Sequence, residues 1–264
     1  MPRSFWKGVI SFGMVVIPVR MYVATETQAL SLHMLHKKCL TRPKQVLHCE
    51  QDDEYFSQKD TVRGYEYAKG QYVVLDEKDF EKVPVRTSHS IDIQAFISEK
   101  EIDPIYFQNS HYLEPEELGA KPFAMLRDIL HKSNRTGIAK VSFQRREHLC
   151  ALRPYGKILI LHTLYYPKEI ISTSDLAEPK TEVSAKELEL ANSLVEAMLT
   201  PFQPEKYHDD YREGLKKVID AKLKGVEIKK PEERKLEVTD LMSALKASLE
   251  SAKKKPAHKE KVAA

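Results

Sequence analysis

The sequence predicts an α+β protein whose larger part is β-structure and whose C-terminal part is helical. Within residues 137–165, apolar and polar side chains alternate over residues 139–144, and two apolar runs follow at residues 149–152 and 158–164. A period of two is typical of strands, and Pro154-Tyr155-Gly156 indicates a turn before the third run. After residue 171, apolar residues recur instead at helical spacing. We therefore expect an antiparallel three-stranded meander in a mainly β domain, followed by helices.

The remaining elements of the β-rich part follow from local signals. Residues 19–23 and 90–97 alternate between apolar and polar side chains, which predicts two strands. Lys69-Gly70 separates two short runs rich in tyrosine and valine, which predicts a hairpin. Asp76 is expected to cap a short helix, and residues 122–131 place their apolar side chains on one helical face.

Three helices are expected in the C-terminal part. The first starts at a Ser184–Glu187 capping box, the second spans residues 204–223, and the third spans residues 239–250 with a leucine every fourth position. The lysine-rich residues 251–264 have low complexity, which predicts a disordered basic tail.

Composition narrows the functional class only slightly. The chain has 264 residues, 42 Lys+Arg, 39 Asp+Glu and a formal net charge of +3, so bulk charge does not imply a polyanionic partner. Three cysteines make no disulfide framework and fit a reducing compartment. No apolar run approaches the roughly 20 residues of a membrane helix. A cytoplasmic protein is expected.

Residues 31–63 differ from the segments around them. Basic and histidine side chains crowd the first half of this stretch, an acidic patch follows residue 49, and large apolar residues are few. Such a composition cannot build a core of its own. We expect a solvated excursion from the β domain.

The same stretch contains ligand types that zinc prefers. They are His33, His36, Cys39, His48 and Cys49. No clean CxxC pair is formed, because Asp52 stands where a second cysteine would complete one after Cys49. The spacing favours solvated histidines and free thiols, and a zinc site built by His33, His36, Cys39 and Cys49 stays open as the alternative.

Known catalytic motifs are not found in the sequence, which contains neither a glycine-rich phosphate loop, nor a nucleophile elbow, nor an HExxH pair. The predicted meander, by contrast, carries a run of basic side chains that only Glu147 opposes. These are Lys140, Arg145, Arg146, Arg153 and Lys157. No helix-turn-helix or zinc-finger pattern for reading bases is present, so if the protein binds DNA, we expect contacts to the DNA backbone.

A series of motifs, in order along the chain, resembles the bacterial Ku family of non-homologous end joining. The first, residues 6–13, reads WKGVISFG. The others cover residues 17–19, 64–67, 70–75, 101–107, 112–115, 138–141, 151–154 and 240–249. Many Ku proteins carry a CxxC pair in the region of Asp52, and the departure here weakens the zinc alternative.

The resemblance implies a homodimeric ring around double-stranded DNA ends. It implies a Ku-type β-barrel core over residues 1–172, with a bridge at residues 31–63 that arches over DNA. The core would be followed by a helical dimerisation arm at 173–225. A flexible extension at 226–264 would then contain a short helix at 239–250 and the basic tail. The implied role is to protect ends and to recruit and stimulate DNA ligase D, without catalytic residues, cofactor or membrane, in the cytoplasm with the nucleoid.

Under this resemblance, phosphate contacts are expected from two groups of side chains. The bridge contributes Lys37, Lys38, Arg42, Lys44 and Arg63, and the barrel contributes Lys140, Arg145, Arg146 and Arg153. The last helix presents Leu241, Met242, Leu245 and Leu249, which are expected either to dock ligase D or to pack back on the body.

Two other functions remain as alternatives at this point. One is an open-surface nucleoid or RNA-binding module, which would not distinguish DNA ends. The other is a metal-dependent nuclease or repair enzyme that uses His33, His36, Cys39 and Cys49.

Overall fold

The computed structural model describes residues 3–83, 89–144, 146–177, 181–226 and 241–254. The chain divides into two compact units, Met1–Thr173 and Ser174–Ala264. The strands are β1 (Trp6–Phe12), β2 (Val15–Val23), β3 (Leu47–Cys49), β4 (Glu54–Phe56), β5 (Arg63–Ala68), β6 (Gln71–Leu75), β7 (Ser90–Ser98), β8 (Phe107–Pro115), β9 (Arg135–Phe143), β10 (Arg146–Tyr155) and β11 (Ile158–Leu164). The α-helices are α1 (Glu77–Glu81), α2 (Ala120–Ser133), α3 (Ala185–Met198), α4 (Asp210–Leu223) and α5 (Leu241–Lys254).

Seven strands of the first unit form a closed barrel in the order β1-β2-β8-β11-β10-β9-β7. The expected meander is confirmed, since β9, β10 and β11 pair antiparallel in sequence order. Parallel pairing of β1 with β7, where Val9 lies opposite Ser90, closes the circle. The turn expected at Pro154-Tyr155-Gly156 begins later than predicted, because β10 continues to Tyr155 and the chain turns at Gly156, which has a φ of +56°.

The interior of the barrel holds the hydrophobic core, and α2 closes one end of it. The inward positions of β10 and β11 include Cys150, Leu152 and Leu161, all with no exposed surface. The helix α2 follows the end of β8 and precedes the start of β9, and its Phe123 and Leu130 belong to the same core cluster. This fits the single apolar face predicted for the helix.

A long excursion leaves and re-enters the barrel at the end opposite α2. It begins after the end of β2 at Val23 and ends at the start of β7 at Ser90. These two strands lie on either side of β1 in the barrel. We call this end the bridge rim. None of the described residues 24–83 is buried. The excursion contains two hairpins, β3–β4 and β5–β6, and the short helix α1. The β5–β6 hairpin and the Asp76 cap of α1 were predicted, whereas β3–β4 was not.

The second unit contains α3, α4 and α5, and α5 packs against α3. The predicted Ser184–Glu187 capping box opens α3. The prediction of a helix from residue 204 was wrong in its start, because Pro204 begins only a 3-10 turn and Asp209 caps α4 by accepting a hydrogen bond from the Arg212 amide at 2.9 Å. The third helix was expected to end at residue 250, followed by a disordered tail, and this was wrong, because α5 continues to Lys254. Its predicted start at residue 239 and the tail from residue 255 onward lie outside the described residues. Among the described helices, none has the length and apolar character of a bilayer-spanning segment.

Candidate nucleic-acid interface

The bridge presents its basic side chains to solvent. Lys37 and Lys38 lie in a tight turn, which is closed by hydrogen bonds from the His36 amide to the Thr41 carbonyl (2.9 Å) and from the Leu40 amide to the His36 carbonyl (2.8 Å). Arg42 and Lys44 follow in extended chain. These four side chains are exposed, and no ion pair to any of them occurs within the described part of the chain. They are free to meet an incoming anion.

Arg63, the fifth predicted bridge residue, lies apart from these four. It begins β5, and its guanidinium carbon lies 5.3 Å from the centre of the Phe80 ring of α1. This cation–π contact orients the side chain while its hydrogen-bond donors remain available. Arg63 therefore belongs to the hairpin part of the excursion and not to the turn that carries Lys37 and Lys38.

Lys140 lies on the outer face of the barrel, near the bridge rim. It faces outward because its neighbours Ala139 and Val141 face the core. Its Nζ lies 2.9 Å from Glu147 Oε1, and this hydrogen bond raises the pKa of Lys140. Asp92 occupies the adjacent position on β7. The lysine is therefore a paired cation in an acidic surrounding.

Arg146 lies at the bridge rim itself, opposite Phe143 at the start of β10. It forms an ion pair with Glu169, in the 3-10 turn after β11. Tyr166, at the start of that turn, lies close enough to Lys140, Arg146 and Glu147 for their charges to influence its pKa, which burial raises. The paired charges of Lys140 and Arg146 are thus neighbours. Arg145 lies outside the described residues.

Arg153 lies towards the other end of the barrel, on the same outer face as Lys140. Arg153 Nε donates to His162 Nε2 at 2.9 Å, and Nη1 donates to Glu99 Oε1 at 2.8 Å. Because His162 Nε2 accepts, the ring proton is on Nδ1, which lies 2.9 Å from Ser110 Oγ. Burial, together with the charge of Arg153, lowers the pKa of His162 to about 4, so the ring is neutral at physiological pH. Arg153 is therefore held in place from two sides.

The barrel surface is less basic than the sequence suggests. Glu147 was expected to be the only opposing acid, but Glu99 and Glu169 also pair with predicted contact residues. These two carboxylates belong to segments outside the β9–β10 hairpin, and no local signal marks them. Charge along one stretch of sequence therefore overestimates the net charge of the folded surface.

The potential zinc ligands of the bridge are not brought together. His36 Nδ1 lies 3.0 Å from Cys39 Sγ, whereas Cys49 Sγ contacts Asp52 and His48 Nε2 contacts Asp53. Across the residues that the structure describes, no group of three or more His, Cys, Asp or Glu side chains could hold a metal ion. The donor set His33, His36, Cys39 and Cys49 does not fit a tetrahedral zinc site in this arrangement.

The predicted ligase-docking residues lie on α5. Leu241 is exposed, whereas Met242, Leu245 and Leu249 are partly buried. Since α5 packs against α3, both predicted roles of this helix remain compatible with the geometry: part of its apolar face is covered within the unit, and Leu241 is accessible.

Comparison with known proteins reveals similarity along the whole chain. The Ku70/Ku80 beta-barrel domain family matches residues 11–190. The "Non-homologous end joining protein Ku" of Solibacter usitatus is 43% identical over 269 residues, which cover 100% of both chains. The proteins of that name from Heliobacterium modesticaldum (41% identical, 95% of this chain and 92% of the relative) and Archaeoglobus fulgidus (39%, 95% and 100%) are similar over nearly the same length. Because the match includes both the barrel and the helical unit, this chain belongs to the Ku family.

Proposed function

We propose that this protein binds double-stranded DNA ends in non-homologous end joining and holds them through the phosphate backbone. The observation that carries the proposal is a bridge without a core of its own, rich in exposed cations, on a Ku barrel. Backbone contacts need cations but no base-reading element, so the binding is independent of sequence. The role is one of binding and includes no catalytic step.

The working form in this proposal is a homodimer that encircles the duplex. The β5–β6 hairpin supports this, because an isolated two-stranded hairpin is marginally stable and this one exposes Tyr65, Tyr67 and Tyr72. The helical unit likewise exposes Phe202 and Tyr211. Exposed apolar side chains of this size are typical of surfaces that a partner covers. A second copy is the occupant we assign to them.

The finer part of the proposal concerns DNA ligase D. The short amphipathic helix α5 is a suitable docking element, because an isolated helix of this length is marginal and gains stability from a binding partner. Its accessible residue Leu241 supports this role. Ends held in the ring would then be presented to the ligase.

Encirclement is tested by competition between linear and closed circular DNA of the same length. A ring can enter a duplex only at an end, so we expect relaxed closed circles to compete poorly with a labelled linear duplex. A molar mass near twice 30.4 kDa in light scattering is expected for the free protein. Equal competition by circles, or a monomer bound to DNA, would contradict the ring and favour an open-surface binder.

The bridge lysines test the phosphate contacts separately. Lys37→Glu with Lys38→Glu should weaken binding to a linear duplex by more than about tenfold and lower the magnitude of the salt slope by about 3.6, since the homodimer loses two phosphate contacts in each protomer. Lys216→Glu with Lys217→Glu on α4 is the matched control, since it changes the net charge equally at two adjacent exposed lysines outside the bridge and the barrel. Equal effects of both pairs would move the interface away from the bridge.

A further inference from the structure

All three described barrel cations of the predicted interface have a carboxylate partner. The pairs are Lys140–Glu147 at 2.9 Å, Arg153–Glu99 at 2.8 Å and Arg146–Glu169. The bridge differs, since Lys37, Lys38, Arg42 and Lys44 have no such partner within the described ranges. In the predicted interface, the described barrel cations are thus paired with carboxylates, whereas these four bridge cations form no ion pair within the described ranges.

Fold stability accounts for little of these pairs, although Glu169 also caps its own turn by accepting a hydrogen bond from the Tyr166 amide at 2.8 Å. The carboxylate side chains are 53% exposed for Glu99, 35% for Glu147 and 34% for Glu169, and the cations they contact are similarly accessible. Ion pairs at this level of exposure are screened by water and salt and contribute little to stability. Their weakness also means that another anion can replace the carboxylate at small cost.

The geometry leaves room for such an exchange. Arg153 uses Nε for His162 and Nη1 for Glu99, so the donors on Nη2 have no partner among the described residues. A guanidinium binds phosphate and carboxylate with the same fork of donors. Because His162 fixes Nε, the guanidinium keeps its orientation when Glu99 leaves.

We propose that Glu99, Glu147 and Glu169 compete with DNA phosphate for the barrel cations and thereby limit the affinity of the barrel surface for the duplex. This inference rests on the proposed function. Each carboxylate orients its cation in the free protein and dissociates from it when a backbone phosphate binds. No covalent bond changes in this exchange. The bridge then supplies the stronger contacts, and the barrel forms a weakly attractive surface along which a duplex can move.

Glu→Gln substitution tests this directly, because glutamine keeps the shape and removes the charge. The variants are Glu99→Gln, Glu147→Gln and Glu169→Gln, each measured by fluorescence anisotropy with a linear duplex over a range of salt concentrations. Each should bind roughly threefold tighter at about 50 mM salt, with a salt slope steeper by about 1.8, since the homodimer carries each substitution twice. Glu117→Gln is the control, since this carboxylate changes the net charge equally and makes no ion pair within the described residues.

The outcomes separate this inference from the proposed function. Tighter binding by the three variants, with no change for Glu117→Gln, supports it. Unchanged or weaker binding by variants with native circular dichroism would overturn it while leaving end binding intact, as would an equal gain for the control. Wild-type protein without affinity for linear duplex would overturn the proposed function and this inference with it.

Discussion

His162 links the charge of the barrel surface to the stability of the fold. Its ring is buried, and its Nε2 accepts the Arg153 hydrogen bond only in the neutral state. Its pKa is lowered to about 4, first by burial and then by the charge of Arg153, and burial likewise lowers the pKa of His111 and His148. In the unfolded chain these groups titrate near 6.5. The unfolded state therefore takes up protons first as the pH falls.

Stability should accordingly decrease on mild acidification. The contribution of His162 is complete above pH 6.5 and is lost as the pH falls towards 4, on the order of 1–2 kcal/mol at pH 5. We expect the melting temperature to fall by roughly 2–8 °C between pH 7 and pH 5, measured by circular dichroism. His162→Gln should flatten this profile in part, since His111 and His148 remain. A variant with the wild-type slope would contradict the assignment.

Cys39 should be the most reactive thiol of the protein. The Thr41 hydroxyl and His36 Nδ1 lie 2.9 and 3.0 Å from its sulfur and lower its pKa to about 7, whereas full burial raises the pKa of Cys150. Because the thiolate is the nucleophile, iodoacetamide at pH 7.5 should alkylate Cys39 at least tenfold faster than Cys150. Mass spectrometry of digests measures both rates. Thr41→Val should slow the labelling of Cys39, and an unchanged rate would show that Thr41 has no influence.

At the scale of elements, the contact between α2 and β2 depends on a missing side chain. A Cβ at Gly119 would lie 2.7 Å from the carbonyl oxygen of Pro18, which is backbone and cannot move aside easily. Gly119→Ala should cost about 1–3 kcal/mol in urea unfolding. Gly214→Ala in α4 adds the same methyl group with no atom within 4 Å and should stabilise the helix by about 0.5–1 kcal/mol. Equal effects of the two substitutions would refute the steric explanation.

Elements were predictable where the signal is local. The meander, the Lys69-Gly70 hairpin and the Asp76 and Ser184 caps each depend on a few neighbouring residues, and the structure has all of them. The start of α4 was misplaced because Pro204 suits any first turn, whereas Asp209 supplies the cap that is used. Hairpin β3–β4 was missed because its strands have three residues each, too few to show a period.

Of the candidate site, only the exposure of the bridge cations was predictable, and their contacts with DNA remain a prediction. Lys37, Lys38, Arg42 and Lys44 could be identified because a polar stretch without core residues leaves its charges exposed. The carboxylates that pair with the barrel cations could not be identified from the sequence. Glu99 lies 54 positions from Arg153, and Glu169 lies 23 positions from Arg146. Such pairs exist only once the barrel has closed. Prediction of residue roles on a β-sheet surface therefore requires the sheet topology as well as the sequence.

At the scale of the whole molecule, the C-terminal helix should be separable from end binding. We expect that deletion of residues 239–264 keeps the dimer and leaves affinity for linear duplex nearly unchanged at 150 mM salt, but abolishes stimulation of ligase D. End-joining assays with the purified ligase measure this effect. Leu241→Asp is a milder variant, because Leu241 is the exposed leucine of α5, and it should reproduce the loss. Full stimulation by the truncated protein would place the docking site elsewhere.

The closure of the barrel by β1 and β7 has a consequence for how the protein is made. The hairpin β1–β2 precedes the other strands of the barrel along the chain, and both of its outer neighbours, β7 and β8, lie beyond the entire excursion. Sheets joined by such distant contacts fold slowly, because the intervening chain loses entropy before the contacts form. During synthesis, the apolar side chains of this hairpin therefore stay exposed until β7 and β8 have been made. We expect the protein to be most prone to aggregation in this period.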